Sequence, residues 1–359
     1  MKDYGSDKKS ALEAKIDAQK LAFGPMMFQA VKALRDFEIL KHLHLNDTGL
    51  TPEEIAAKTN LSVYGVKILL DAGLSAEVVL LKDNKYFLTK TGFYFINDPM
   101  TTINVDFVND VCYQGMFYLQ ESIRNQKPEG LKVFGNWPTI YHGLSKLPEK
   151  VKKSWFAFDH FYSDNVFSAL MPEIFKNNPQ KILDIGGNTG KFSIQCAKYN
   201  PKVEITIMDL PGQLEVANKN AKEEGMANRI KGLPVDILNH EKPFPEGFDL
   251  IWMSQFLDCF AEYDIIQILQ RAAQSMHQHA ELFILETYWD RQKFDISTYC
   301  LNNTSLYFTA LANGKSRMYH SEDMKKMVEK AGLEITEIID DLGISHSLFK
   351  CKKRGSNFH

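Results

Sequence analysis

Apolar residues recur at helical spacing near the start of the chain. Phe23, Met26, Met27, Ala30, Val31, Leu34 and Phe37 form one broad stripe and predict a helix over 18–43. Such a stripe packs into a core more often than into an interface, but its width leaves room for a partner. In residues 50–92, Thr51 with Glu54 makes a capping box and Pro52 sits at the first helical position. A second helix starts at Leu61-Ser62 and carries Val66, Leu69 and Leu70. VVLL, a Lys-Asp-Asn turn and YFLT then read as a β-hairpin. Helix, helix, hairpin is a winged-helix pattern. Its familiar use is DNA binding, yet the second helix supplies only Lys67 as a cation, which is poor for phosphate contacts. A structural or dimerisation role is the expectation.

Residues 101–175 are rich in aromatics at helical spacing, and WFAFDHFY predicts either a helical core or a cavity wall. From Lys181 the pattern changes. KILDIG, VEITIMDL, IKGLPVDIL, FDLIWMSQ and AELFILET alternate with helical stretches, which predicts a parallel sheet with helices on both faces. The fold class is therefore α/β, a Rossmann-like domain over 176–359. A helical segment over 101–175 and a mostly helical winged-helix region over 1–100 precede it. The closing KKRGSNFH is expected to fray.

A length of 359 residues favours more than one core. The net charge of −3 gives no general attraction to nucleic acid or anionic membranes. The five cysteines, at 112, 196, 259, 300 and 351, include no CxxC pair. Reduced thiols in a soluble, cytoplasmic protein are the expectation. The first residues lack a signal-peptide core, and no apolar run approaches the length of about 20 residues that spans a bilayer. Neither HxxxH, HExxH nor a Cys/His cluster is present, so no metal is expected.

Candidate chemistry begins at Asp184-Ile185-Gly186-Gly187-Asn188-Thr189-Gly190, after one strand and before a helix. Glycine permits a tight turn and close approach to a ligand, and Asn188 tolerates left-handed geometry where a third glycine is common. A glycine loop alone also serves a plain turn or a dinucleotide. Asp209 ends the next strand, where a carboxylate can accept both ribose hydroxyls. Asp236 is expected at the end of the third strand, within reach of an adenine amino group. Asp184 would repel a pyrophosphate but suits the ammonium of a methionine moiety. Each acid alone is an ordinary loop residue; three at successive strand ends point to S-adenosylmethionine.

LDIGGNTG, then MDLPGQ, then VDIL resembles the plant and bacterial small-molecule O-methyltransferases, and the resemblance covers nearly the whole chain. It implies a homodimer that uses S-adenosylmethionine to methylate a small aromatic or polyketide-like hydroxyl. It implies cofactor contacts from Gly186, Asp209, Asp236 and Ile237, with Gly190 and Leu210 in the same loops. Ser254 stands where the family often has a lysine, and Ser163 of FYSDN is a further candidate.

The family's catalytic histidine lies in a segment like LHDW. Here it reads Leu257-Asp258-Cys259-Phe260, so Asp258 takes the histidine's place. Asp258 can serve as a base if burial raises its pKa, bind a cationic amine, or cap the helix beginning near Ala261-Glu262. Glu286 matches the family's second acid, and Ser316 replaces the third. His160 is a replacement base by resemblance, against the plainer reading as a satisfied core histidine. Tyr307 and Thr309 fall where the family lines its acceptor pocket. Two other readings are the same fold with a different reaction or acceptor atom, and a ligand-sensing winged-helix regulator.

Overall fold

The structure, a computed structural model, describes residues 4–355, folded as two compact units that divide at Asp110/Val111.

In the first unit the helix expected over 18–43 is two helices. α1 (Ala11–Asp36) starts earlier, because Ser10 and Glu13 form a reciprocal capping box. It stops at Asp36 because Glu38 adopts φ +58°, which breaks the hydrogen-bond ladder before α2 (Ile39–His44). The stripe also divides. Val31 and Leu34 join Ile39, Leu40 and Leu43 in a core, whereas Phe23 and Met26, with Leu12, Ile16 and Leu21, stay exposed. α3 (Pro52–Thr59) and α4 (Val63–Ser75) begin at the side-chain caps of Thr51 and Ser62. β1 (Val79–Lys82) pairs antiparallel with β2 (Lys85–Leu88) around Asp83-Asn84. Both turn residues have positive φ, +50° and +58°, as a two-residue hairpin turn matching strand twist requires. α5 (Lys90–Asn97) and α6 (Pro99–Asp106) complete the unit, with Asp106 ion-paired to Arg35 of α1 at 2.6 Å.

The second unit opens with α7 (Leu119–Asn125) and α8 (Glu149–Ile174). The chain then alternates: β3 (Lys181–Ile185), α9 (Lys191–Tyr199), β4 (Glu204–Asp209), α10 (Pro211–Glu223), β5 (Ile230–Pro234), β6 (Leu250–Ser254), α11 (Glu262–Ser275) and β7 (Glu281–Glu286). α12 (Asp295–Tyr307), α13 (Ser321–Lys330), β8 (Leu333–Leu342) and β9 (His346–Lys353) follow. The sheet order is β5-β4-β3-β6-β7-β9-β8. Its first five strands are parallel, and β9 runs antiparallel to both neighbours.

Two sequence expectations change here. Lys352 and Lys353 belong to β9 rather than to a frayed tail, while 356–359 lie outside the described residues. The third strand stops at Pro234, which cannot donate to a ladder, so Asp236 lies two residues beyond the strand end instead of on it.

Alternation along the strands splits the side chains between two cores. Leu183, Ile185, Ile251, Met253, Leu282 and Ile284 pack on one face; Ile182, Leu250, Trp252, Phe283 and Leu285 pack on the other. On the second face Phe192 of α9 stacks on Trp252 with ring centroids 4.3 Å apart, and Phe167 of α8 meets Phe192 edge-on. That packing brings α8 over the C-terminal ends of the parallel strands. Ligands bind at those ends in open α/β sheets.

Candidate active site

β3 delivers the chain into the glycine loop. Gly186 has φ +75°, Asn188 +49° and Gly190 +78°, so the asparagine takes the left-handed geometry expected of it. A Cβ on Gly186 would lie 2.2 Å from the Phe256 ring, which only glycine avoids. Asp184 is buried; the Ser193 hydroxyl donates to it at 2.6 Å, and burial raises its pKa to about 7. Asp209, at the end of β4, accepts the backbone N–H of Asn188 at 2.8 Å and of Leu210 at 2.7 Å. Burial raises its pKa as well. Asp209 thereby ties the glycine loop to the second strand. Asp236 is exposed and accepts the Leu238 N–H at 3.0 Å.

A cavity lies over this loop, walled by Asp159, His160, Ser163 and Phe167 of α8, by residues from Asp184 to Phe192, and by Trp252, Ser254 and Gln255. Asn188 Oδ1, Trp252 Nε1, Ser254 Oγ and Gln255 Nε2 are buried polar atoms on this lining without a hydrogen-bond partner in the protein. Such atoms are costly unless a ligand or water completes them. Gln255 also adopts φ +46°, a strained geometry of the kind that gathers at binding sites. Buried donors and acceptors beside an acid and a glycine loop fit the amino-acid and ribose groups of S-adenosylmethionine. His160 belongs to this cavity wall, stacked on Phe156 at 5.8 Å, with Asp159 3.9 Å from its Nδ1.

A second polar cluster surrounds Asp258, in a tight turn over Leu257–Cys259 after β6. Asp258 does not cap the next helix: the N-cap of α11 is Ala261, and no side chain bonds there. Glu286, closing β7, accepts the backbone N–H groups of Phe256 at 3.0 Å and Leu257 at 2.8 Å through Oε1. Its Oε2 has no partner. Neither buried carboxyl forms an ion pair among the described residues. Burial raises Asp258 to about 6; burial and then the charge of Asp258 raise Glu286 well above the usual carboxylate range. Two such groups cannot both ionise cheaply, so the pair retains a proton where exposed carboxyls would have lost theirs.

Residues remote in sequence complete this cluster. The Tyr141 hydroxyl donates to Cys259 Sγ at 3.1 Å, and the thiol lies 3.5 Å from Asp258 Oδ1. Trp155 Nε1 donates to the Tyr307 hydroxyl at 2.7 Å. Asn313 Nδ2 donates to the Cys259 carbonyl at 2.9 Å and to Ser316 Oγ at 2.7 Å, which joins the third family position to the Asp258 turn. The Thr309 hydroxyl donates to the Ser305 carbonyl at 3.1 Å. Tyr141 and Asn313 carried no sequence signal, since nothing in local spacing reports a contact made across 118 residues.

Comparison with known proteins agrees with this geometry. Residues 15–86 match the Dimerisation2-like domain, and residues 118–334, more than half of the chain, match the O-methyltransferase domain. The chain is 25% identical over 327 residues to an L-tyrosine C(3)-methyltransferase of Streptomyces lavendulae, covering 89% of this chain and 88% of that protein. It is 24% identical to a bacteriochlorophyllide d C-20 methyltransferase of Chlorobaculum tepidum, covering 88% and 90%. The S-adenosylmethionine-dependent methyltransferase SibL shares the fold with a TM-score of 0.70 at 21% identity, over 94% of this chain and 98% of that one. With its glycine loop, its strand-end acids and a dimerisation-type domain ahead of them, the chain belongs to the O-methyltransferase domain family and is an S-adenosylmethionine-dependent O-methyltransferase.

Proposed function

We propose that this enzyme methylates the hydroxyl of a small phenol-like acceptor, with Asp258 accepting the proton. The observation that carries the reading is the buried Asp258 carboxyl, free of any ion pair among the described residues, with Tyr141 and Phe260 beside it and Tyr307 near the adjoining Cys259 thiol. Aromatic walls suit a flat acceptor, and a carboxyl titrating near 6 is mostly ionised at neutral pH.

Bound S-adenosylmethionine supplies an electrophilic methyl on a sulfonium. Asp184, Asn188, Ser254 and Gln255 would receive its amino-acid part, and Gly186, Gly190, Asp209, Leu210, Asp236, Ile237 and Ser163 the rest. Asp258 would take the proton of the acceptor hydroxyl, leaving that oxygen free to accept the methyl the sulfonium would supply. Glu286 keeps the Asp258 turn in place through two backbone N–H groups. Tyr307 and Tyr141 hold the acceptor ring against this turn. His160, on the cofactor wall, has no role as base in this reading.

One observation favours a second reading: the two relatives described above are named for methylation at carbon. A phenolate is nucleophilic at oxygen and at its ortho carbon, so the same proton acceptor serves both outcomes. Asp258→Asn keeps the size and removes the proton acceptor. Its turnover should fall by about 10²–10⁴-fold while S-adenosylhomocysteine affinity barely changes. A fully active Asn variant would exclude the base role. Carbon-13 NMR of product made with labelled methyl distinguishes an aryl ether from an aryl methyl group.

The exposed apolar side of α1 supports a homodimer built through the first unit. All five cysteines are free thiols, which suits the cytoplasm. No described helix is long and apolar enough to cross a membrane.

A further inference from the structure

Asp236 and Ile237 sit in residues 235–249, a stretch without helix or strand. An irregular loop is a poor platform for a binding carboxylate unless something fixes it. Here one buried side chain does. Arg271, on the third turn of α11 and only 6% exposed, donates through Nη2 to the Ile237 carbonyl at 2.5 Å. Its Nη1 donates to the carbonyls of Asn239 at 3.0 Å and Lys242 at 3.3 Å. The guanidinium lies over the Phe244 ring, 4.6 Å from its centre. A second tie joins the same partners: His240 Nε2 lies 3.0 Å from the Asp264 carboxylate of α11.

This arrangement is unusual for an arginine. Its planar fork matches a carboxylate, and burying the charge without an ion pair is costly. Among the described residues Arg271 forms no ion pair and spends its donors on backbone carbonyls. An apolar residue would fill the space at less cost but would not fix three consecutive stretches of one loop. Asp236 is close enough for its charge to act on the guanidinium.

We propose that Arg271 is a positioning residue for cofactor binding, holding the loop of residues 236–242 so that Asp236 and Ile237 meet the adenosyl group. α11 begins three residues after Cys259 and carries both ties, so one helix connects the adenosyl loop to the Asp258 turn. The inference rests on Asp236 and Ile237 receiving the cofactor.

The test is calorimetric titration of the full-length protein with S-adenosylhomocysteine, for Arg271→Met, Asp236→Ala and the double variant. Arg271→Met should weaken binding about tenfold or more, the effect of losing hydrogen bonds to a charged group. Arg271→Lys, which keeps the charge but loses the fork, should restore part of the affinity. KM for S-adenosylmethionine should rise with the dissociation constant, and kcat should change much less. The double variant should bind little worse than the weaker single one, because both losses act at one place. If Arg271→Met does not fold, Arg271→Lys decides alone, and unchanged affinity there overturns the proposal. So does additivity in the double variant, or unchanged affinity in a folded Arg271→Met. Unchanged affinity in Asp236→Ala would instead refute the placement of the cofactor.

Discussion

The carboxyl of Glu286 accepts the backbone N–H of Leu257 at 2.8 Å, so the last residue of β7 holds the turn that presents Asp258. Glu286→Gln keeps an acceptor oxygen for that bond and removes the ionisable partner. Burial, not Glu286, raises Asp258, and Glu286 is the member of the pair that keeps its proton, so Asp258 should still titrate at about 6 and the acid limb of kcat should stay in place. Glu286→Ala strands two buried N–H groups and should cost about 2–4 kcal/mol in urea denaturation. A displaced acid limb in the Gln variant would show that Glu286 ionises ahead of Asp258.

Asp209 has a different duty. It completes the backbone N–H groups of Asn188 and Leu210, and in the proposed reading it also receives the cofactor. Asp209→Ala should cost about 1.5–3 kcal/mol of S-adenosylhomocysteine affinity, the usual worth of hydrogen bonds to a charged group. Calorimetry showing native affinity would remove Asp209 from the site.

Two buried groups should pull the stability of the free protein in opposite directions with pH. Burial raises Asp184 to about 7 from its ordinary 3.8. The native state therefore holds a proton that the unfolded chain has released, and stability falls as pH rises through that window. The contribution is on the order of 4 kcal/mol. Burial lowers His346 to about 4 from 6.5, and neither ring nitrogen has a geometrically sound hydrogen-bond partner. Here the unfolded chain binds the proton first. Stability is fully present above 6.5 and is lost as pH falls, by about 3 kcal/mol. Thermal midpoints across pH 4–7 should therefore rise more steeply in Asp184→Asn and fall more steeply in His346→Gln. Parallel curves for all three proteins would refute both assignments.

The outward side of α1 carries Leu21, Phe23 and Met26, each more than half exposed. Light scattering at micromolar concentration should give twice the 41.1 kDa chain mass, and Phe23→Asp with Met26→Asp should give the monomer. These residues lie outside the core of their unit, so far-UV circular dichroism should be unchanged. A native protein that is already monomeric would contradict the homodimer.

Much of the catalytic unit was legible because its strands are buried on both faces and stand between turn signals. β3, β4, β6 and β7 fall where the apolar runs predict, and Asp209 closes β4 as expected. β8 and β9 escaped. In LEITEIIDDL charged residues interrupt the apolar pattern, as on a sheet edge, and HSLFKCKK buries Lys350 through the carboxylates of Glu173 and Glu337. The break between α1 and α2 was hidden because a glutamate, not a glycine, takes the left-handed geometry. At the site, the family resemblance pointed to Asp258 and Glu286, and nothing in the sequence pointed to Tyr141, Asn313 or Arg271. Their contacts are set by packing between distant segments.

The place of β9 bears on synthesis. Until that strand leaves the ribosome, β7 has one side of its ladder unpaired, although every element that walls the cavity over the glycine loop has already been made. A nascent chain halted before residue 346 would thus display an apolar, hydrogen-bond-hungry edge ending in Glu286. Such an edge invites pairing with another chain. Pairing with β9 removes that edge, so β9 protects β7 as well as extending the sheet.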